Sequence, residues 1–384
     1  MPGQPIKYPF LDLGTANESY MAAMREAAMR VINSGRYIGG EEVEAFNREM
    51  AAMCDAPHAI GVSNGLDALR LIFEGYKVLG KLSVGDEIIV PANTYIATIL
   101  AIGHAGLTPV LVDPDQRTMN LSVEGIQRGL SQRTRGIVAV HLFGRVCWDN
   151  DIARICRAND LLVIEDAAQA IGARAATEGL FRSRAAGAIG HAGAFSFYPT
   201  KNVGALGDAG AVVTHDEVLA DAVKALANYG SDRRYHNIYA GFNCRLDPIQ
   251  AAMIRVKLPD TDKVNAERFA RAVAYDRHIS HPAVIKPLMP ATPTQCVWHQ
   301  YVVRISDGRR DDFREYLRKN GVETDIHYPT PPHMQPCYAA ETAHAPLPLT
   351  ERLAKEVVSL PIGASTSEAD AREIAAIINN YPNI

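Results

Sequence analysis

Ala194-Phe195-Ser196-Phe197-Tyr198-Pro199-Thr200-Lys201-Asn202, followed by Gly204-Ala205-Leu206-Gly207-Asp208-Ala209-Gly210, is the stretch that decides how this chain is built. Two apolar, strand-like segments, Ala192–Tyr198 and Ala209–Thr214, flank the connection and lie closer together than a helical crossover allows. Between them stands Lys201, surrounded by small residues and glycines. One reading is an ordinary surface lysine in a turn. The other is a tightly packed, partly desolvated lysine, whose lowered pKa would let it form an imine. Ser196, five residues earlier, offers a hydroxyl to a phosphate.

Outward from this stretch, apolar β-branched runs recur with helical stretches between them, the pattern of a mostly parallel sheet. The expected strands upstream are Ala59–Ser63, Glu87–Pro91, Pro109–Val112, Gly136–His141 and Leu161–Ile164. Helices are expected at Leu66–Leu79, Ile96–Ala105, Val123–Leu130 and Asn150–Ala158, the last two with capping signals in Ser122 and Asp149. A helix-rich stretch, Asp216–Asn228, follows the last strand. Beyond residue 250 the texture changes to a long helix from Pro248 toward Tyr275, a Pro-rich passage, a strand at Tyr301–Ile305 and an amphipathic helix near Ser367–Asn379. The fold class is therefore α/β, with a large domain over residues 1–250 and a smaller C-terminal α/β domain over 251–384.

Composition agrees and excludes several classes. At 384 residues, with 47% hydrophobic and 21% charged residues, the chain can build a substantial core. A net charge of −4 argues against a general nucleic-acid binder. No apolar run approaches the ~20 residues that cross a bilayer, and the first residues lack the apolar core of a signal peptide. Six scattered cysteines without a Cys-x-x-Cys pair read as reduced, mostly buried thiols rather than a disulfide frame or zinc site. A cytoplasmic protein without a metal site is expected.

Ligands of parallel sheets sit at the carboxyl ends of strands. After the first strand, Asn64-Gly65-Leu66-Asp67 opens a helix whose amides suit a phosphate, reached closely because Gly65 has no side chain. After the second comes Asn93-Thr94-Tyr95; Tyr95 either packs in the core or stacks on a flat ligand. After the fifth stands Glu165-Asp166-Ala167-Ala168-Gln169, where a carboxylate needs a partner: a helix N-cap, a metal or a buried cation. Together these pieces describe a pyridoxal 5′-phosphate site. Lys201 would form the imine, Asp166 would pair with the pyridinium nitrogen, and Tyr95 would stack on the ring. Asn64, Gly65, Leu66 and Ser196 would hold the phosphate.

At this point the chain resembles the sugar aminotransferases of the DegT/DnrJ/EryC1/StrS family. The resemblance rests on Asn93-Thr94-Tyr95, His141-Leu142-Phe143-Gly144, Glu165-Asp166-Ala167-Ala168-Gln169, Phe195 to Lys201, and Gly241-Phe242-Asn243-Cys244-Arg245-Leu246-Asp247. It implies the fold type I architecture of aspartate aminotransferase, with a mostly parallel seven-stranded sheet and a smaller C-terminal α/β domain. It implies that Gln169 contacts the cofactor's 3-oxygen. It also implies that Asn243 reaches the cofactor phosphate of the neighbouring subunit, so that a homodimer shares its active sites. Asn64-Gly65-Leu66-Asp67-Ala68-Leu69, Tyr229-Gly230-Ser231-Asp232 and His327-Tyr328-Pro329 are similar to the branch that aminates C3 of nucleotide-linked 3-keto-6-deoxyhexoses. Ile171, Ala209 and Cys244 depart from the usual His, Gly and Ser.

The expected reaction moves an amino group from L-glutamate to a dTDP-linked 3-keto-6-deoxyhexose, giving a 3-amino sugar nucleotide for deoxysugar, O-antigen or other glycan synthesis. The cofactor would alternate with pyridoxamine 5′-phosphate, and Lys201 would act as general base and acid. Arg233, Arg234 and Arg245, with Lys257 as a further candidate, are the cations available to a diphosphate. Tyr229, His299, His327 and Tyr328 are candidates for the sugar pocket. The rival readings are amination at C4 of a keto sugar, a dehydratase of the same fold, in which His replaces the lysine, and a non-catalytic PLP-binding regulatory protein.

Overall fold

The computed structural model describes residues 5–306, 308–338 and 346–382. Its central sheet is built from β1 (His58–Val62), β2 (Glu87–Pro91), β3 (Thr108–Val112), β4 (Thr134–Val140), β5 (Leu162–Asp166), β6 (Ala192–Ser196) and β7 (Gly210–Thr214). Their order is β1-β7-β6-β5-β4-β2-β3. From β3 through β6 all neighbours are parallel, and only β7 runs antiparallel, to β6 on one side and β1 on the other. Strands buried on both faces carry near-continuous apolar runs, which is why Glu87–Pro91 and Gly210–Thr214 were readable as strands.

Helices cover both faces. Gly65–Val78, Ile96–His104 and Glu217–Ala227 pack on one side in a core that includes Leu71, Phe73, Val90 and Val212. Asn150–Ala158 and Val123–Gly129 bury Ile152 and Ile126 on the other, beside Ile137 and Val163. Asp149 caps the first of these through Asp151 and Ile152, and Ser122 caps the second through Gly125.

The long helix expected from Pro248 is not continuous. It runs Pro248–Lys257, is interrupted by the 3₁₀ turn Leu258–Asp260, and resumes as Thr261–His278. Pro259 is the cause, since it has no N–H to donate and its ring blocks the preceding turn. The first segment packs against two N-terminal helices, Met21–Ser34 and Glu41–Met53. The second joins a separate core with Phe313, Tyr301 and Ile374. A separate hairpin, β8 (Ser231–Arg233) and β9 (His236–Asn237), precedes Pro248; in the C-terminal core an antiparallel sheet β10 (Val284–Ile285), β11 (Tyr301–Ile305), β12 (Val357–Leu360) is flanked by the helices Arg310–Lys319 and Glu368–Asn379.

The small residues of β6 have a packing reason. The segment 185–190 crosses this strand, and a Cβ added at Gly193 would land on the Gly187 backbone. Neither partner is a flexible side-chain end. Gly193→Ala should therefore destabilise the protein by ~1–3 kcal/mol, the cost of overpacking a filled interior. Denaturant unfolding of the variant beside the wild type measures this, and an unchanged midpoint would contradict it.

Candidate active site

A cavity of about 530 Å³ opens where the carboxyl ends of β2, β4, β5 and β6 meet the start of the helix Gly65–Val78. Lys201 lies in its wall, half-buried, on the connection from β6 to β7. That connection is held from below. Lys257 Nζ donates to the Gly204 carbonyl at 2.6 Å, and the Leu206 amide donates to Gln250 Oε1 at 2.9 Å. Burial pushes the Lys201 ammonium down to about 8, while the Asp166 carboxylate pulls it back up. Lys257 is thus no diphosphate ligand: it is buried beneath the loop, and burial pushes it down to about 8.

Asp166 ends β5 and faces the cavity. The Thr98 hydroxyl donates to its Oδ2 at 2.8 Å, and the Ala168 amide donates to Oδ1 at 3.2 Å. With the Thr98 proton so committed, the Thr94 hydroxyl, 2.9 Å away, is the donor to Thr98. Glu165, one residue earlier, points to the opposite face and is fully buried. It accepts from the amides of Gly187, Ile189 and Gly190 and from His141 Nε2, all at 2.7–2.8 Å. Because the Cys147 amide donates to His141 Nδ1 at 3.0 Å, the ring proton sits on Nε2.

At the helix start, Asn64 Oδ1 accepts from the Asp67 amide at 2.8 Å and so caps the helix. The Gly65 and Leu66 amides, which the helix itself cannot satisfy, line the cavity beside Ser196. Asp67 is not a competing free anion, since Arg70 pairs with it at 2.8 Å. The approach at Gly65 is close: an added Cβ would stand 2.7 Å from Ser196 Cβ.

Tyr95 lines the opposite wall with its ring 5.1 Å from that of Tyr328. Gln169 is tied at both ends, accepting at Oε1 from the Phe143 amide at 2.6 Å and donating from Nε2 to the Tyr328 hydroxyl at 3.2 Å. From the C-terminal half come His299, His327 and Tyr328, which close the cavity. His327 Nδ1 stands 2.8 Å from Ser359 Oγ.

One chain does not bring every candidate to this cavity. Tyr229, Arg233, Arg245 and Asn243 are absent from its lining. Arg233 and Arg245 line a different groove of about 710 Å³, together with Arg234 and Lys224. There Arg245 Nη1 donates to Asn228 Oδ1 at 2.9 Å and its guanidinium lies 5.3 Å from the Tyr229 ring centre. Asn243 is exposed, its backbone bridged to Asn228. Conversely, the sequence reading passed over Thr98 and gave no role to His141 or Asn202, although both stand in motifs it quoted. Thr98 could have been found one helical turn beyond Thr94, where it shares that residue's side of the chain; the contacts of Asn202 are long-range and leave no local signal.

Comparison with known proteins gives a consistent set of likenesses. A family model described as the DegT/DnrJ/EryC1/StrS aminotransferase family matches residues 19–379. The chain is 43% identical to the dTDP-3-amino-3,6-dideoxy-alpha-D-galactopyranose transaminase of Aneurinibacillus thermoaerophilus, covering 97% of this chain and 99% of that one. It is 40% identical to the dTDP-3-amino-3,4,6-trideoxy-alpha-D-glucose transaminase of Streptomyces venezuelae, covering 98% and 96%. The crystal structure of S. venezuelae DesV superposes with a TM-score of 0.90 at 40% identity, over 98% of both chains.

Two expectations follow from the geometry. In the ligand-free protein, the reactivity of Lys201 toward an amine-specific reagent should titrate near pH 8. Asp166→Asn removes the charge that raises this value, so its midpoint should fall below the wild type's. Mass spectrometry of the labelled Lys201 peptide across pH checks both, and an upward shift in the variant would contradict the assignment. Gly65→Ala, by filling the approach to Ser196, should weaken pyridoxal phosphate binding at least roughly 10-fold in equilibrium titration, about 1.4 kcal/mol.

Proposed function

The chain belongs to the DegT/DnrJ/EryC1/StrS aminotransferase family, and from that premise we propose that it transfers an amino group from L-glutamate to a dTDP-linked 3-keto-6-deoxyhexose, with pyridoxal 5′-phosphate as cofactor. The observation that carries the proposal is the juxtaposition in one cavity of Lys201, Asp166 and the helix-start amides of Gly65 and Leu66. The two relatives named above both carry names of dTDP-3-amino sugar transaminases, which favours C3 over C4.

The residues present fit the cofactor. The glycine cradle at Gly65 leaves room that any Cβ would fill, beside a hydroxyl and unsatisfied amides suited to a phosphate. When bound, pyridoxal phosphate supplies an electron sink that stabilises negative charge on the carbon losing its proton. Asp166, positioned by Thr98, holds the proton on the ring nitrogen because a carboxylate favours the charged form of its partner. Tyr95 and Gln169 line the cavity; Tyr95 would orient the ring by stacking, and Gln169 would meet the 3-oxygen. Lys201, with its lowered pKa, is neutral in a useful fraction near physiological pH. It can thus take a proton from the donor's α-carbon and return one to C4′. The same lysine runs the proton transfers in reverse on the keto sugar, whose ring is received among His299, His327 and Tyr328.

A homodimer is part of the proposal. Tyr229, Arg233, Arg245 and Asn243 serve the neighbour's cavity, Asn243 at the phosphate and the cations at the nucleotide diphosphate. Two features support this: those residues lie away from their own chain's cavity, and Met21, Met29 and Ile32 on the helix Met21–Ser34, with Ile38 in the loop after it, leave apolar surface exposed. The assignment of residues 1–250 to cofactor binding and 251–384 to closure over the sugar, and a cytoplasmic location, belong to the same proposal. No helix among the described residues is long and apolar enough to cross a membrane.

Borohydride treatment of the protein loaded with pyridoxal phosphate should leave the cofactor covalently on the Lys201 peptide, and Lys201→Ala should show none. Adding L-glutamate alone should release about one equivalent of 2-oxoglutarate per chain, as expected of a double-displacement enzyme. A cofactor-loaded protein that releases none is a passive binder, which would overturn the proposal.

A further inference from the structure

His299 lies just before β11 and lines the cavity. Its Nδ1 stands 3.2 Å from Asn202 Oδ1. Which of the two carries the hydrogen is decided by groups further back. The Val297 carbonyl can only accept, so the Asn202 atom 3.0 Å from it must be Nδ2. The other Nδ2 proton goes to Asn265 Oδ1 at 2.9 Å. Asn265 is oriented in the same way, because its Nδ2 donates to the Ile171 carbonyl at 2.9 Å. Asn202 therefore presents an oxygen to His299, and the ring donates from Nδ1.

A neutral imidazole that donates from Nδ1 keeps a lone pair on Nε2. A second proton is opposed first by burial and then by the neighbouring cations Lys201 and Arg268, which hold the ring well below the usual histidine range. Arg268 donates to the Trp298 and His299 carbonyls, so a fixed cation sits behind the ring. The cavity thus holds an acceptor at His299. It also holds a donor at Tyr328, whose hydroxyl oxygen already accepts from Gln169 and whose proton remains to be given. A ketone needs a donor, and a hydroxyl beside it needs an acceptor.

We propose that His299 is a specificity-determining residue whose bare Nε2 accepts a hydrogen bond from the hydroxyl flanking the keto carbon of the sugar. This rests on the keto-sugar reading above. A substrate lacking that hydroxyl leaves a buried acceptor unpaired, and the resulting discrimination is roughly 10- to 100-fold.

The test has two arms. In ¹⁵N-histidine-labelled wild-type protein, the ring assigned by its loss in H299F should show a protonated Nδ1 and an unprotonated Nε2. A protonated Nε2 overturns this proposal alone and leaves the aminotransferase reading untouched. In calorimetric binding of dTDP-linked 3-amino sugars lacking the hydroxyl at C2 or at C4, wild-type protein should bind one deoxy analogue roughly 10- to 100-fold more weakly than the full sugar, and H299F should reduce that gap to about threefold. Retained discrimination in H299F overturns the proposal, and wild-type protein that binds no amino sugar nucleotide overturns this proposal and its parent together.

Discussion

At the carboxyl end of β5, two adjacent carboxylates point to opposite faces of one strand, and the rest of the site depends on that split. Alternation along a strand makes it unavoidable: Glu165 goes into the scaffold and Asp166 into the cavity. Glu165 is buried and would be prohibitive without partners, so three backbone amides and His141 Nε2 converge on it. In doing so it fastens the segment that crosses β6, the strand leading to Lys201. Asp166 then has a fixed frame from which to act on Lys201, whose ammonium is pushed down by burial and pulled up by that one carboxylate. The scaffold interaction and the chemical one are neighbours in the chain and opposites in function.

Much of this was legible in the sequence because it is local. Strand ends, small residues and the residue after each strand are adjacent in the chain, so Asn64–Leu66, Tyr95, Asp166, Gln169, Ser196 and Lys201 could be named from it, and all of these line one cavity. The seven strands were legible chiefly because strands buried on both faces, such as Glu87–Pro91 and Gly210–Thr214, are continuous apolar runs. What escaped was of two kinds. The helices Met21–Ser34 and Glu41–Met53 went unread although each buries an apolar stripe, Met24, Ala27 and Val31 in the first and Ala45, Phe46 and Met50 in the second. The break at Pro259 escaped because helix-forming sequence resumes at once after it, over Thr261–His278. The other kind is long-range: Thr98 meets Asp166 from 68 residues away, and Asn202 meets Val297 from 95.

The C-terminal half supplies what the sheet cannot. The strand ends provide groups for a flat, phosphorylated ring, whereas His299, His327 and Tyr328 bring neutral hydrogen-bonding atoms suited to a sugar. Burial keeps the two histidines uncharged. The cations expected for a diphosphate lie instead in a groove on another face of the same chain. That separation is the physical basis of the proposed homodimer.

The central claim concerns which carbon receives nitrogen, and it can be read directly. The protein, loaded with pyridoxal phosphate and ¹⁵N-labelled L-glutamate, is given dTDP-linked 3-keto-6-deoxyhexose and its 4-keto counterpart in separate reactions. The products are examined by NMR for the carbon coupled to ¹⁵N. The account predicts label on C3 of the first substrate and little on the second; label confined to C4, or none on either sugar, would contradict it.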